Sequence, residues 1–353
     1  MLRRILYGLM ALAFVTATTR AETSKGDITL KSLSTIGFGP KGVLFIGDSE
    51  AGVVYAVNTP ADKVSTPKSL KLENVGQTFG DLLGVKADDV VIKDLKVNPE
   101  TSQVYVAVTR KSSPTAAAIL KLTGDSKFEE VKLKGVEFSK YTLPNASEKK
   151  RSDSITCMAY AEGTLYIAGL SNEEFASTLR SVTYPFVKDT AKGAAIEIYH
   201  AAHNALETRS PIQTFTPYTI GKTGYILASY TCTPLVRIPL TQLKDGQKIK
   251  GDTVAELGNM NRPLDIVTYT KDKKAYALMA NDRRGVMKIS IDGLETAGTI
   301  AEAVRGGGVA GVKFETIKEL QGTKQLDKLD DTTAVVLVED KDKKLTLSTV
   351  VLP

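Results

Sequence analysis

The side chains that could do chemistry are few and dispersed. The only two histidines, His200 and His203, stand in Tyr199-His200-Ala201-Ala202-His203, and the only two cysteines are Cys157 and Cys232. A spacing of three puts two imidazoles on opposite sides of a continuing strand, but on one side of a helical turn. In the second arrangement they can share a transition metal. Cys157, Cys232 and Glu207 are the further ligands at hand, because zinc and copper take a third protein ligand and a supporting shell. The cysteines have a competing use. In an exported chain a minimal even pair reads as a disulfide, and Cys157–Cys232 would close a loop of roughly 75 residues and stabilise by about 4 kcal/mol in the chain-entropy model. Two buried thiols are the alternative.

Oxygen donors collect at the ends of apolar runs: Asp48, Asp94, Asp153, Asp265 and Asn281, with Arg283 beside the last. Cations of the calcium type need several oxygen ligands from separated segments. Asp48, Asp265 and Asn281 are therefore expected as ligands of a divalent cation such as calcium, and all six residues as the lining of a ligand-binding mouth. Asp and Asn at such places also cap turns through their own side-chain hydrogen bonds. Other chemistries lack their residues. Gly306-Gly307-Gly308 has neither the lysine nor the strand-to-helix setting of a phosphate loop, and neither histidine accompanies a nucleophile elbow. Tryptophan is absent and aromatics are 7%, which disfavours a Trp-lined sugar groove and leaves Tyr199, Tyr218, Tyr225 and Tyr230 as stacking surfaces. Asn145-Ala146-Ser147 fits a glycosylation acceptor.

What must position these groups is a recurring phrase: an alternating apolar strand, a tight turn, a second strand and a polar break. It occupies residues 33–48, 95–109, 155–170, 218–230 and 264–281. Val, Ile, Tyr, Thr and Phe fill the runs, while Gly, Pro, Asp and Asn fill the gaps. Gly37, Lys96, Met158, Tyr218 and Val267 are comparable points of the first strands, separated by 59, 62, 60 and 49 residues. Each step holds one four-stranded sheet. Residues 312–320, 334–339 and 345–352 supply a less regular sixth unit, and the best helix candidate, 173–179, competes with an extended reading. The expected fold is all-β, a six-bladed β-propeller that abolishes exposed sheet edges by radial closure. The N-terminal segment 28–32 is expected to close it by giving an outer strand to the last blade. Longer insertions are expected at 65–91, 126–151 and 322–331.

Residues 1–21 carry Arg3 and Arg4, an apolar run over 5–15 and small residues up to Ala21, the pattern of a cleavable secretory signal. The run is too short to span a bilayer comfortably. The expectation is a secreted or periplasmic protein with one domain over 22–353 and no stable membrane insertion after cleavage. Removing Arg3, Arg4 and Arg20 takes Lys+Arg from 46 to 43 against 40 Asp+Glu, a net charge of +3 that gives no nucleic-acid footprint.

The phrases GFGPKGVLFIGD and LDIVTYTKDKKAYALMAND resemble blades of the broad six-bladed group that includes NHL, YWTD and gluconolactonase-like propellers. That resemblance covers most of residues 28–352. It implies ligand binding on the face that gathers the loops between second and third strands and the entries to the first strands. In the gluconolactonase-like relatives a metal at the channel activates water or polarises a carbonyl, but no residue of that metal set carries over to this chain. The expected function is binding of a small ligand or a partner's loop at the channel mouth. The alternative is a metal-dependent hydrolase or lactonase; a quinone-dependent dehydrogenase is suggested by shape alone.

Overall fold

The computed structural model describes residues 23–59, 66–187, 191–306 and 308–353, so the secretory signal expected at 1–21 lies outside the described residues. Six sheets, antiparallel apart from the parallel pairing of Lys248–Lys250 with Ala194–His200, form a six-bladed β-propeller. Their innermost strands are Thr35–Phe38 (blade I), Val90–Val97 (II), Cys157–Ala161 (III), Thr214–Ile220 (IV), Pro263–Lys271 (V) and Thr323–Lys328 (VI). The second strands, such as Val104–Arg110 and Thr333–Glu339, are buried on both faces, because each sheet is covered by a neighbour on either side. They therefore read as near-continuous apolar runs. Among the described residues no helix is long and apolar enough to cross a membrane.

The order of blades around the axis departs from their order in the chain. Blade I packs on blade II through Ile36, Leu44, Tyr105 and Ile119, and on blade III through Phe45, Val54, Leu165 and Ile167. Blade III meets IV through Ile196 and Val236, IV meets V through Leu257 and Met279, and V meets VI through Leu278 and Val336. Blade VI then packs on blade II through Val335, Leu347, Val106 and Leu120. Going round, the ring reads II, I, III, IV, V, VI. This permutation follows from one insertion: the whole of blade II lies between the third strand of blade I, Val53–Asn58, and its fourth, Val136–Thr142, which pair in the register Phe138↔Val57 to Thr142↔Val53.

The closing strand differs from the expected one. Lys71–Leu72 pairs with Leu345–Val351 as the outer strand of blade VI, whereas the N-terminal strand Ser24–Gly26 pairs with Val136–Thr142 on blade I. Residues 28–32 also stay with blade I: Ile28 is buried there, and the Lys31 and Ser32 amides bond the Asp48 carboxylate. Closure needs the chain that reaches blade VI on its way to blade II, and that is the segment after blade I. Its helix, Val75–Leu83, wedges Val75, Phe79 and Leu83 into the core between blades II and VI and ends at left-handed Gly84. Glycine at that position carries no Cβ penalty. Within the expected insertion 65–91 this helix went unread. Residues 173–179 are not helical: 173–175 bend, and 177–179 begin Ser177–Thr183, the third strand of blade III. Residues 312–320 give the fourth strand of blade V, Phe314–Ile317. The first strand of blade VI comes instead from 322–331, an expected insertion whose polar composition conceals an inner strand.

Candidate functional site

Three inner strands carry a register irregularity near their start: between Ile92 and Asp94, between Pro263 and Asp265, and between Thr323 and Gln325. A bulge adds a residue to one strand and re-aims the side chains that follow. Asp94 and Asp265 stand at the first two. The carboxylate of Asp94 accepts from the Ile36 amide (2.9 Å), the Thr35 hydroxyl (2.6 Å) and the Leu95 amide (2.8 Å). Asp265 accepts from the Leu326 amide (3.1 Å), and Asp327 from the amides of Val97 and Lys328 (both 2.8 Å). Blades II and I, V and VI, and VI and II are thus stitched at the axis by a carboxylate on one inner strand and an amide on the next.

Lys96 joins these carboxylates. Its Nζ lies 2.9 Å from both Asp94 Oδ1 and Asp265 Oδ1, reaching past blade VI from blade II to blade V. Burial works against its charge, but Asp265, Asp94 and Asp327 outweigh burial and hold the ammonium well above its ordinary range. Burial pushes Asp265 up to about 7, with Lys96 pulling down and Asp94 pushing up. Burial likewise raises Asp327. Lys96 therefore stays charged, while burial favours the protonated form of Asp265 and of Asp327.

Above this cluster the axis opens into a cavity of about 580 Å³. Lys96, Asp265 and Asp327 border it, with Thr214, Thr216 and Thr268 on its walls beside Phe38, Met158, Tyr160 and Phe215; Lys328, Asp330 and Asp331 stand where the blade VI hairpin turns. On the other side of Lys96, toward the strand entries, the axis narrows to about 30 Å³ between Ser34, Lys93, Gln213 and Gln325. The roomy end is thus the one bearing the hairpins between first and second strands.

The residues expected at a mouth are distributed as follows. Asp94 and Asp265 meet at Lys96. Asp48 is fully buried and spends its carboxylate on the amides of Lys31, Ser32 and Ala51 and on the Ser32 hydroxyl. Asn281 accepts from Asn261 Nδ2 (3.0 Å), and the Arg283 amide donates to Asn261 Oδ1 (3.3 Å), which knits the second turn of blade V. Asp153 is half-buried in the short 3₁₀ turn Arg151–Asp153. Asp48 thus serves as a turn cap, Asn281 holds the Asn261 side chain that caps its turn, and between Asp94 and Asp265 the Lys96 ammonium stands where a cation would. Lys96 and Asp327 were missed as site residues. The available signal was a lysine at the strand point where the other blades carry Gly37, Met158, Tyr218 and Val267.

The expected Cys157–Cys232 disulfide is absent; both thiols are free. Cys157 lies on an inner strand with Sγ 4.0 Å from the Phe215 carbonyl, and burial pushes its thiol up to about 12. Cys232 sits further from the axis, in the turn between Thr223–Ser229 and Pro234–Pro239, its amide bonded to the Asn261 carbonyl (2.7 Å). Its neighbours are the two histidines: one ring nitrogen each of His200 and His203 and Cys232 Sγ all lie within 4.8 Å of one another.

No protein-family model matches this chain, and no curated protein does. Similar solved structures include the PQQ-bound form of aldose sugar dehydrogenase from Streptomyces coelicolor (11% identity, TM-score 0.33, 94% of this chain and 99% of that one). The periplasmic gluconolactonase of Pseudomonas aeruginosa is another (10%, 0.35, 90% and 85%), as is a chain of the mitotic checkpoint complex (8%, 0.39, 99% of both).

Proposed function

We propose that this protein is an exported binding propeller whose axial cavity holds a small polar molecule bearing hydroxyl or amine groups. The observation that carries the reading is the Lys96–Asp265–Asp327 cluster at the base of a cavity of about 580 Å³. That volume falls in the range of roughly 300–1,000 Å³ typical of small-molecule sites. One ammonium faces three carboxylates, so the base favours donors and cations over anions, and the threonines add further hydrogen-bonding positions. The hydrolytic alternative has one point in its favour: a carboxyl group titrating at about 7 in a cleft is suited to general acid–base work.

A single panel tests both readings. Monosaccharides, polyols, polyamines and aldonolactones are screened at pH 7 by thermal shift, with turnover of the lactones followed in parallel. Saturation near a hundredfold excess over Kd stabilises by about 2.7 kcal/mol, a Tm rise of a few degrees. One class is expected to produce that rise, and Asp265→Asn to remove it. Lactone consumption abolished by Asp265→Asn would establish the hydrolase instead. Absence of any shift up to millimolar concentrations, or a shift that Asp265→Asn leaves intact, overturns the cavity as the site.

A further inference from the structure

The outer strand of blade III, Ala194–His200, ends in a turn at His200, where the His203 amide donates to the His200 carbonyl (3.1 Å). The turn brings both imidazoles to one side, with ring centroids 3.9 Å apart. Glu207, on the returning strand Ala205–Glu207, contacts both rings through one oxygen: Oε1 lies 2.9 Å from His200 Nδ1 and 2.6 Å from His203 Nδ1. An ionised carboxylate only accepts, so both Nδ1 atoms carry a proton, and in the neutral imidazole Nε2 is then the atom left with a lone pair. A carboxylate that fixes imidazole tautomers in this way is the usual support of metal-bound histidine.

The other side of the cluster comes from blade IV. Cys232 supplies its sulfur from the turn, and Glu256 projects from Asp252–Leu257. Glu256 is fully buried; its Oε1 accepts the Ala201 amide (2.7 Å), while Oε2 has no hydrogen-bond partner. His200 is 1% exposed, and its Nε2 also has no partner. The two orphaned atoms face each other at 4.0 Å. Two buried acceptors left facing across such a gap carry the full cost of unmet desolvation. A cation between them satisfies both at once. Two ligands of one tetrahedral zinc lie roughly 3.4 Å apart, given bond lengths of about 2.0–2.2 Å. Binding draws the His200, His203 and Cys232 atoms, now within 4.8 Å of one another, closer together and brings Glu256 in from the His200 side.

We propose that His200, His203 and Cys232, completed by Glu256, bind one zinc-class divalent ion at the seam between blades III and IV, with Glu207 as the positioning residue. Two nitrogens and a sulfur select a borderline-soft transition metal over calcium. Cys232 binds as the thiolate, and its proton passes to solvent. The ion joins an outer-strand turn of one blade to a loop of the next, away from the axial cavity, so the site stands whether or not the cavity binds a ligand.

The test uses the full mature protein after dialysis against EDTA. Titration with zinc should show one saturable equivalent and raise Tm, and titration with cobalt(II) should give a thiolate-to-metal charge-transfer band. Cys232→Ser should abolish that band, Cys157→Ser should leave it, and Glu207→Gln should weaken zinc binding by about 10–100-fold. His203, with half its side chain exposed, provides a second variant, His203→Ala, that tests the ligand set even where substitution of buried His200 prevents folding. Absence of saturable zinc binding, a cobalt spectrum without the thiolate band, or binding unchanged in both Cys232→Ser and His203→Ala overturns the proposal.

Discussion

Replacing Lys96 by methionine is expected to cost about 3–5 kcal/mol of folding free energy at pH 8, the range measured when one partner of a buried ion pair is removed, and distinctly less at pH 5. The side chain is 18% exposed and is the cation between Asp94 and Asp265. Without it, three inner-strand carboxylates share the axis with only their backbone amide donors and the Thr35 hydroxyl. Asp265 is already raised from an ordinary 3.8 to about 7, and loss of the ammonium raises it further. A carboxyl group with a raised folded-state pKa adds stability that is fully present below its unfolded-state pKa and lost as pH climbs through the folded one. The penalty of the substitution must therefore grow between pH 5 and 8. Guanidinium titrations of both proteins at the two pH values measure it. A loss below about 1 kcal/mol at pH 8, or an equal loss at both, would show that the cluster is not a buried charge assembly.

Phe79→Ala is expected to cost about 3–5 kcal/mol through the transfer and cavity contributions of a fully buried aromatic ring. Phe79 is 0% exposed and meets Phe128 edge to face at 4.9 Å. Its position adds a second reason. The helix Val75–Leu83 lies at the seam where blade VI, last in the chain, meets blade II, and the same segment carries the closing strand Lys71–Leu72. Leu82→Ala on the same helix, at a side chain 43% exposed, should change stability by less than about 0.5 kcal/mol. Similar losses for both substitutions would contradict closure through this helix.

The blades were legible where strands are half-buried or wholly apolar: 33–48, 155–170 and 264–281 cover the inner hairpins of their sheets, while 95–109 and 218–230 begin partway along the first strands Val90–Val97 and Thr214–Ile220. The ring order was not legible. Alternation states which face of a strand is buried, not which sheet buries it, so the return of Val136–Thr142 to blade I leaves no local trace. The inner strand of blade VI, Thr323–Lys328, was obscured because an axial strand beside water and charge keeps Lys324, Gln325 and Asp327. Helix Val75–Leu83 did leave a trace in Val75, Phe79 and Leu83 at intervals of four. At the site, Asp94 and Asp265 were readable from their positions at strand entries. Asp48 and Asn281 had the same appearance, but Asp48 caps a turn and Asn281 pairs with the Asn261 side chain, since an Asp or Asn at a strand end looks the same in either role. His200 and His203 were placed at the end of an outer strand, and whether they faced together depended on the turn that follows.

The claim on which the channel reading rests is that a lysine and three carboxyl groups are packed together on the propeller axis. Carbon-13 NMR of protein labelled at the aspartate carboxyl carbon tests it directly, followed from pH 3 to 9. One resonance should titrate at about 7, and it should be the one missing from Asp265→Asn. If every aspartate titrates within the ordinary carboxylate range, or the resonance at about 7 persists in Asp265→Asn, the axial cluster is not as described.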